Sequence, residues 1–325
     1  MRANKASLCL LLLASALLAA CGGHGREPFA DSRVPGSLAP RFYPPEGWAW
    51  GLLQIGRSPA QRYGVSSPAV TPSAQILILP GYGETAEGWF ETVRALNDAG
   101  YTTWVLERQG QGGSGRQGWS RDVGDARSFE PDVAAIKAML SMISASGTDA
   151  PVVVLAQGAG APVAKLALMR GGQADGLILS APTLALDGST AGAASQGRIL
   201  RRIGLGGLRV IGTSGWKRDR LALPSAGLDP IRSAGQAAWQ TTNPDLRMGG
   251  PSYGWDAALL DAVEAARADP TWRGPPTVQI PTRAAAGQLA PDADRRAWMA
   301  AIGDFVRQRI SERQAAQLNA APHRL

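Results

Sequence analysis

Short apolar segments alternate with amphipathic segments along most of the chain. The apolar segments predict strands at residues 48–56, 61–66, 75–79, 101–106, 175–181 and 277–280. Helical spacing of apolar positions predicts helices at residues 85–99, 129–145 and 295–310. Residues 151–170 combine both patterns, since a valine-rich run is followed by a glycine-rich turn and then by a helix. The sequence therefore predicts strands and helices in alternation.

The first twenty residues differ from the rest of the chain. Arg2 and Lys5 precede an apolar run that is too short to span a bilayer comfortably and that stops at Cys21. The ending Leu-Ala-Ala-Cys resembles the lipobox of bacterial lipoproteins, in which the cysteine is acylated and becomes the first residue after cleavage. We therefore predict a lipoprotein signal peptide at residues 1–20, lipidation of Cys21 and a cell-envelope location, on the outer membrane if the organism has one. The alternative is an ordinary secretory signal cleaved near Ala20.

Residues 21–46 are rich in Gly, Pro, Ser and Arg, with only scattered apolar residues. This composition predicts a flexible tether that leads from the lipid to the folded domain.

Charge and reactive side chains exclude several classes of function. The net charge of +7 becomes +5 when Arg2 and Lys5 leave with the signal. This mild excess fits an anionic lipid surface, and no nucleic-acid recognition motif accompanies it. Cys9 also leaves with the signal, so no disulfide or thiol nucleophile is expected. The predicted core lacks histidine, cysteine and clustered carboxylates, so the sequence predicts no metal site and no cofactor.

The strand, turn and helix at residues 151–170 have the order of a nucleophile elbow, in which a G-x-S-x-G motif lifts a serine above a sheet. Here the five positions, residues 156–160, read Ala-Gln-Gly-Ala-Gly. Gly158 stands where the serine belongs, and glycine has no side chain with which to attack a substrate. The sequence predicts the geometry of a hydrolase without its nucleophile.

Further segments resemble α/β-hydrolases of the monoacylglycerol lipase and lysophospholipase group, the serine aminopeptidase S33 type. They are PGYGE at residues 80–84, ERQGQGGS at 107–114, LILSAPTLAL at 177–186 and NPDLRMGGPSYGW at 243–255. In that group the first segment begins His-Gly and the second reads Asp-x-Arg-Gly-His-Gly-x-Ser. Here Pro80 replaces the first histidine, Glu107 the aspartate and Gln111 the second histidine. The resemblance runs from about residue 48 to residue 310.

This resemblance implies an α/β-hydrolase fold: a mostly parallel sheet with helices on both faces and an inserted helical cap. The core would comprise residues 47–186 and 251–312, the cap residues 187–250 and a C-terminal tail residues 313–325. It also implies an oxyanion hole made by the backbone N–H groups of Tyr82 and Ala159. With their neighbours, the predicted ligand-binding residues are Tyr82, Ala159, Gly81 and Gln157.

The other two members of a Ser-Asp-His triad are missing from their family positions. The acid should follow the strand at residues 277–280, but no Asp or Glu lies between Asp269 and Asp292. The two histidines of the chain are His24, beside the predicted anchor, and His323, third from the C-terminus. The chain passes from Asp292 straight into the last predicted helix. We therefore expect the region of the eighth strand and catalytic histidine to be shortened.

The predicted cap mixes basic and apolar residues. Between residues 197 and 220 seven Lys and Arg side chains accompany a single acid, Asp219, with isoleucine, leucine and valine interleaved. Such a segment can lie on an anionic membrane surface. Equally, its apolar side can pack on the core and leave the arginines in solvent.

Three functions are open on this evidence. The first is a non-catalytic, lipid-anchored envelope protein that uses the family pocket to bind a lipid, an acyl group or a protein partner. The second is an ester hydrolase of the lysophospholipase or monoacylglycerol lipase kind with another nucleophile, for which Ser114 and Ser180 are candidates. For Ser114 the structural alternative is a hydroxyl that stabilises a turn. The third is a scaffold with a collapsed pocket.

Overall fold

A twisted α/β sheet organises the computed structural model, which describes residues 26–116, 118, 120–218, 227–280 and 287–320. In these residues the strands are β1 (Ala49–Leu53), β2 (Gln61–Ser66), β3 (Ala74–Leu79), β4 (Tyr101–Leu106), β5 (Val152–Gln157), β6 (Gly176–Ser180) and β7 (Thr277–Ile280). Their spatial order is β1-β2-β4-β3-β5-β6-β7. The pairs β1–β2 and β2–β4 are antiparallel, and all other neighbours are parallel.

Helices cover both faces of the sheet. They are α1 (Phe90–Asp98), α2 (Glu130–Ser144), α3 (Gly160–Met169), α4 (Gly188–Arg202), α5 (Pro230–Thr242), α6 (Tyr253–Arg267) and α7 (Asp292–Ala320). Leu77 and Leu79 of β3 belong to a core shared with α2, α3 and α6. Ile76 and Ile78 belong to the opposite core, shared with α1 and α7. Successive side chains of a strand point to opposite faces, so β3 serves both cores. The predicted α/β-hydrolase fold is confirmed.

The connection after β7 is short. Gly287–Leu289 forms a 3-10 turn that leads towards α7, and the described residues contain no eighth strand. Residues 281–286 lie outside the described part of the chain. The shortened region at this point therefore stays a prediction.

The segment predicted to be the cap lies between β6 and α6, and α4 packs on α6 through small residues. A Cβ on Gly197 would lie 2.0 Å from the carbonyl oxygen of Tyr253, so only glycine permits this approach. The larger apolar side chains point away: Ile199, Ile203 and Ile211 are 63%, 64% and 87% exposed. The expectation that the apolar side of the cap packs on the core is wrong for these isoleucines, because small residues occupy that interface.

Some cap arginines face the core instead of solvent. Arg198 pairs with Asp261 and Glu264 of α6 at N···O distances of 2.7 and 2.5 Å. Arg201 pairs with the other oxygen of Asp261 at 2.8 Å. Because α4 presents glycine and alanine to α6, its long arginines can reach over the contact to these acids. Residues 219–226, with Asp219 and Arg220, lie outside the described residues.

The segment predicted to be a tether joins the folded domain from Arg26 onwards. The Arg26 Nη2 group donates to the carbonyl oxygens of Gly112 and Ser114, at 2.7 and 2.6 Å. Phe42 is buried, and its carbonyl oxygen accepts the indole N–H of Trp239 at 3.2 Å. The predicted boundary at residue 46 is therefore too late, since scattered arginine and aromatic side chains suffice to dock the segment.

The C-terminal helix is longer than the sequence pattern predicts. The helix predicted for residues 295–310 spans Asp292–Ala320, so most of the predicted tail is helical. Arg313 ties this extension to the core through Asp175, at 3.3 Å, and through the carbonyl oxygen of Asp149, at 3.2 Å. Even so, no helix within the described ranges is long and apolar enough to cross a bilayer. Cys21, both histidines and the rest of the predicted signal segment lie outside these ranges.

Candidate functional site

The end of β5 turns sharply into α3. Gly158, at the apex, has a φ of +52°, a left-handed conformation that glycine adopts without steric penalty. Its N–H donates to the carbonyl oxygen of Ser180 and its own carbonyl oxygen accepts the N–H of Thr183, both at 3.0 Å. Gly160 permits close packing, because a Cβ there would lie 3.0 Å from the carbonyl oxygen of Leu79. The turn has the backbone form expected of a nucleophile elbow.

The nucleophile position has room for a side chain. A Cβ built on Gly158 meets no atom closer than the Cα of Gly81, at 3.9 Å. Gly81 lies in the loop after β3, where the family carries half of its oxyanion hole. The glycine therefore leaves open space beside this loop instead of a packed interior.

Two backbone N–H groups at this point have no acceptor among the described residues. They belong to Tyr82, in the loop after β3, and to Ala159, the residue after the apex. Ala159 is the N-cap of α3 and provides no side-chain cap, so the positive end of the helix dipole is also open here. Both predicted oxyanion donors are therefore available to a ligand oxygen.

A cavity of about 1020 Å³ lies between the elbow and the cap. All four predicted ligand-binding residues line it, together with Gly158: Gly81, Tyr82, Gln157 and Ala159. Residues of α4 and of the loop at 210–213 form the opposite wall. The volume stands at the upper end of the range of about 300–1,000 Å³ that is common for small-molecule sites. The cavity can therefore hold a ligand with a long chain.

Two carboxyl groups that the sequence analysis did not single out also line the cavity, those of Glu84 and Asp256. The Glu84 carboxylate accepts the N–H of Gly81 at 2.6 Å. Burial raises the pKa of Glu84, and this hydrogen bond offsets part of the rise. Asp256, in the first turn of α6, is 4% exposed, and burial raises its pKa to about 6. The sequence feature that could have indicated Asp256 is its position as the single acid in the otherwise apolar run YGWDAALL.

These carboxyl groups do not form a metal site with their surroundings. Within the part of the chain that the structure describes, no three His, Cys, Asp or Glu side chains come together in a way that could hold a metal ion.

The two serines considered as alternative nucleophiles hold the fold together. Ser114 Oγ accepts the backbone N–H of Arg62 at 2.8 Å and donates to the carbonyl oxygen of Glu107 at 2.9 Å. Ser180 Oγ accepts the indole N–H of Trp298 at 2.8 Å. Both side chains are fully buried, and neither lines the cavity. The geometry of Ser114 is that of the turn-stabilising hydroxyl.

Glu107, at the family's aspartate position, belongs to a buried ion cluster with Arg62 and Glu87. Arg62 donates to the two carboxylate oxygens of Glu107 at 2.7 and 2.8 Å, and to Glu87 at 2.8 Å. The backbone N–H groups of Ala86 and Gly113 also donate to the Glu107 carboxylate, each at 2.7 Å. All three charged side chains are inaccessible to solvent. This ion cluster supports the loops around the cavity and does not line it.

The 3-10 turn after β7 reaches the elbow. A Cβ on Gly287 would lie 2.6 Å from the side-chain oxygen of Gln157, so glycine allows this contact. The sequence from residue 277 to residue 291 contains no Asp, Glu or His. The described residues after β7 therefore pack against the elbow. The sequence of this segment contains no acid or histidine that could act on a substrate there.

Known proteins are similar to this chain in family or in fold. The family model described as serine aminopeptidase, S33, matches residues 70–288, more than half of the chain. A search of curated proteins finds no match. A soluble variant of monoglyceride lipase from Saccharomyces cerevisiae is 14% identical, and the match covers 84% of this chain and 99% of that one at a TM-score of 0.59. A lipase in an open form is 17% identical, with coverage of 81% and 99% and a TM-score of 0.56. A monoacylglycerol lipase from Paleococcus ferrophilus is 18% identical, with coverage of 73% and 82% and a TM-score of 0.51.

At these identities the solved structures establish a shared fold and leave the reaction open. The family match is broader evidence, because it spans the loop after β3, the elbow and the cap. The chain belongs to the serine aminopeptidase S33 family and has an α/β-hydrolase fold.

Proposed function

We propose that this protein binds an acyl ligand at the former active site without hydrolysing it. A lipid on Cys21 would hold the protein in the cell envelope, on the outer membrane if there is one. The proposal accounts for two features: the elbow has glycine in place of the nucleophile, and a large cavity lies beside it.

The observation that carries the proposal is the open nucleophile position. Gly158 faces the cavity, has no group that can attack a carbonyl, and stands in the backbone conformation of an elbow. The members of a catalytic triad activate one another, so loss of one removes most of the activity of the whole unit. Here the serine position is glycine, and residues 277–291 offer neither acid nor histidine. Binding is what the remaining groups support.

The free N–H groups of Tyr82 and Ala159 provide that binding capacity. Backbone donors at a helix N-terminus hold a carbonyl oxygen without any side chain. The open space at Gly158 allows the carbonyl carbon of an ester to come close to the elbow. The cavity above it favours this function over a scaffold with a collapsed pocket, because a scaffold needs no such volume.

The cap supports a lipid as the ligand. Ile199, Ile203 and Ile211 project outwards, and Ile211 also lines the cavity. Arg202, exposed beside them, can attract anionic headgroups. Exposed aliphatic side chains at the rim of a pocket suit a bilayer surface better than water. We therefore place the outer side of the cap on the membrane that carries the anchor.

Turnover and binding are tested together on the mature lipoprotein in lipid nanodiscs. A fluorophosphonate probe, a short p-nitrophenyl ester and a lysophospholipid report catalysis, and a fluorescent monoacylglycerol reports binding. We expect saturable binding with neither labelling nor turnover above buffer. Gly158→Ser should remain inactive, since residues 277–291 offer no histidine to act as its base.

Matched variants show whether binding occurs in the cavity. Gly192 lines it, and a Cβ there meets nothing within 4 Å, so Gly192→Phe can fill the space without disturbing α4. Ser195→Phe, exposed on the same helix and outside the cavity lining, is the control. We expect a loss of binding in the first variant alone. Wild-type turnover that disappears in Ser114→Ala or Ser180→Ala would overturn the proposal, as would a lack of binding by the wild type.

A further inference from the structure

The cavity is acidic although the protein is basic. The chain has a net charge of +7, yet no Lys, Arg or His of the described residues lines the cavity. The charged side chains that do line it are Glu84 and Asp256. Positive charge lies behind the elbow instead, where Arg108 Nη1 is 3.3 Å from the carbonyl oxygen of Ala159. At the wall formed by Asp256, a carboxylate ligand would meet like charge, whereas a cation would meet opposite charge.

Asp256 is buried without a partner. It is 4% exposed, and its carboxylate has no hydrogen bond or ion pair with any residue whose position is described. Burial alone shifts the pKa of Asp256, since no donor or cation lowers it again. The carboxylate lines the cavity and has no counter-charge from the described residues, so a positively charged group in the cavity would supply one.

The other acids of α6 show that partners were available nearby. Asp261 and Glu264, further along the helix and more exposed, both pair with Arg198, and Asp261 also pairs with Arg201. The cap therefore supplies arginines to the accessible acids of α6 and none, among the described residues, to the most buried one. This contrast points to the cavity as the place from which Asp256 receives its counter-charge.

Aromatic rings stand beside this carboxylate. Tyr82, Tyr253 and Trp255 line the same cavity, and the rings of Tyr82 and Trp255 meet edge to face with centroids 4.5 Å apart. Burial raises the pKa of Tyr82, while the N–H of Gly124 and the charges of Arg116 and Arg209 offset part of the rise. The charge of Asp256 adds to the rise, so the phenol and the carboxylate interact electrostatically. Aromatic faces with a carboxylate are the surroundings in which proteins bind organic ammonium groups.

We propose that the cavity selects an amphiphile with an ammonium group and that Asp256 recognises this charge. The acyl or alkyl chain occupies the remaining volume, which is far larger than a small amine requires. The inference rests on the proposed function, because it takes the cavity to be a ligand site. It adds the chemical class of the ligand.

The test compares ligands that share a chain and differ in charge. The mature lipoprotein in nanodiscs is titrated calorimetrically with octyltrimethylammonium, octyl glucoside and octanoate below their micelle concentrations, with empty nanodiscs subtracted. We expect the cation to bind about 10-fold more tightly than the neutral glucoside, with octanoate weakest. Tetramethylammonium, which has the charge without the chain, should bind at least about 10-fold more weakly than its octyl relative.

Asp256→Asn should abolish the preference for the cation, so that octyltrimethylammonium and octyl glucoside bind with similar affinity. Asp261→Asn, on the same helix but outside the cavity lining, should keep the preference. Equal binding of cation and glucoside by the wild type, or a preference that survives Asp256→Asn, would overturn the ammonium assignment alone. If tetramethylammonium binds as tightly as octyltrimethylammonium, the proposal that the ligand is an amphiphile is wrong. Failure of every octyl ligand, or binding unaffected by Gly192→Phe, would instead overturn the proposed binding function.

Discussion

The ion cluster of Arg62, Glu87 and Glu107 and the wall of the cavity both place charge in the interior, with opposite outcomes. In the cluster, Arg62 and Glu107 have every charged atom hydrogen-bonded. On the cavity wall, the Asp256 carboxylate and the N–H of Tyr82 lack partners among the described residues. Polar groups that satisfy one another hold a fold, and those left unsatisfied at a cavity are free to bind.

The largest effect should come from breaking the ion cluster. Arg62→Met leaves two buried carboxylates without their counter-ion, and removal of one partner from such a cluster costs about 3–5 kcal/mol. We expect the free energy of unfolding to fall by that amount in urea titrations followed by circular dichroism. Arg307→Met is the control, because Arg307 and Asp304 form an exposed pair whose loss costs less than about 1 kcal/mol. Equal effects of the two variants would contradict the assignment of the cluster to stability.

A smaller effect is expected at Ser114. Ser114→Ala removes a buried hydroxyl that both accepts and donates a hydrogen bond, which costs about 1–3 kcal/mol. Ligand affinity, measured per folded molecule, should be unchanged because Ser114 does not line the cavity. Ser189→Ala is the matched change at an exposed serine of the cavity rim, whose hydroxyl donates to Asp187, and should lower stability by less than about 1 kcal/mol. A loss of ligand binding in folded Ser114→Ala would contradict the assignment of Ser114 to stability alone.

Gly158→Ala tests two properties of the elbow, its backbone strain and its open space. A Cβ in the left-handed conformation costs about 1–2 kcal/mol, whereas the cavity leaves room for the methyl group itself. We expect a corresponding fall in the thermal unfolding temperature and weaker binding of a monoacylglycerol, because the methyl group takes the space that the ester carbonyl would use. Unchanged affinity would mean that the ligand does not approach the elbow as proposed.

The smallest effect has the opposite sign. The pKa of Asp256 is raised to about 6 from 3.8, so the folded protein holds this proton more tightly than the unfolded chain. The contribution of Asp256 to stability therefore falls as pH rises from about 4 to about 6 and stays low above that. Asp256→Asn should unfold about 2 °C higher than the wild type at pH 8, with the smallest difference near pH 4. Asp261→Asn removes a partner from two arginines and should not raise the unfolding temperature. If Asp256→Asn is less stable than the wild type at pH 8, the Asp256 carboxylate has a stabilising partner, contrary to this account.

Local patterns predicted much of the core. β2, β4 and β7 have the predicted bounds, and the elbow at Gly158 has the predicted backbone form. These features depend on residues that are adjacent in the sequence: apolar runs, glycine at a positive φ and helical spacing. The cavity lining by Gly81, Tyr82, Gln157 and Ala159 could be anticipated because their motifs have fixed places in the family fold.

The remaining features depend on contacts between distant segments. The docking of Phe42 on Trp239 joins positions almost two hundred residues apart, and composition alone suggested a free tether. The outward orientation of the cap follows from the contact of Gly197 with α6, which no periodicity in α4 reveals. Asp256 is an ordinary helix residue until the fold places it on the cavity wall without a partner.

The chemical fate of a bound ester tests the central claim most directly. The purified protein is incubated with an excess of 1-monolauroylglycerol, separated from unbound ligand and extracted for mass spectrometry. Binding without turnover predicts intact monolauroylglycerol in the protein fraction and no more lauric acid than in a protein-free sample. Lauric acid released beyond the amount of protein would contradict the account and make this chain an active ester hydrolase.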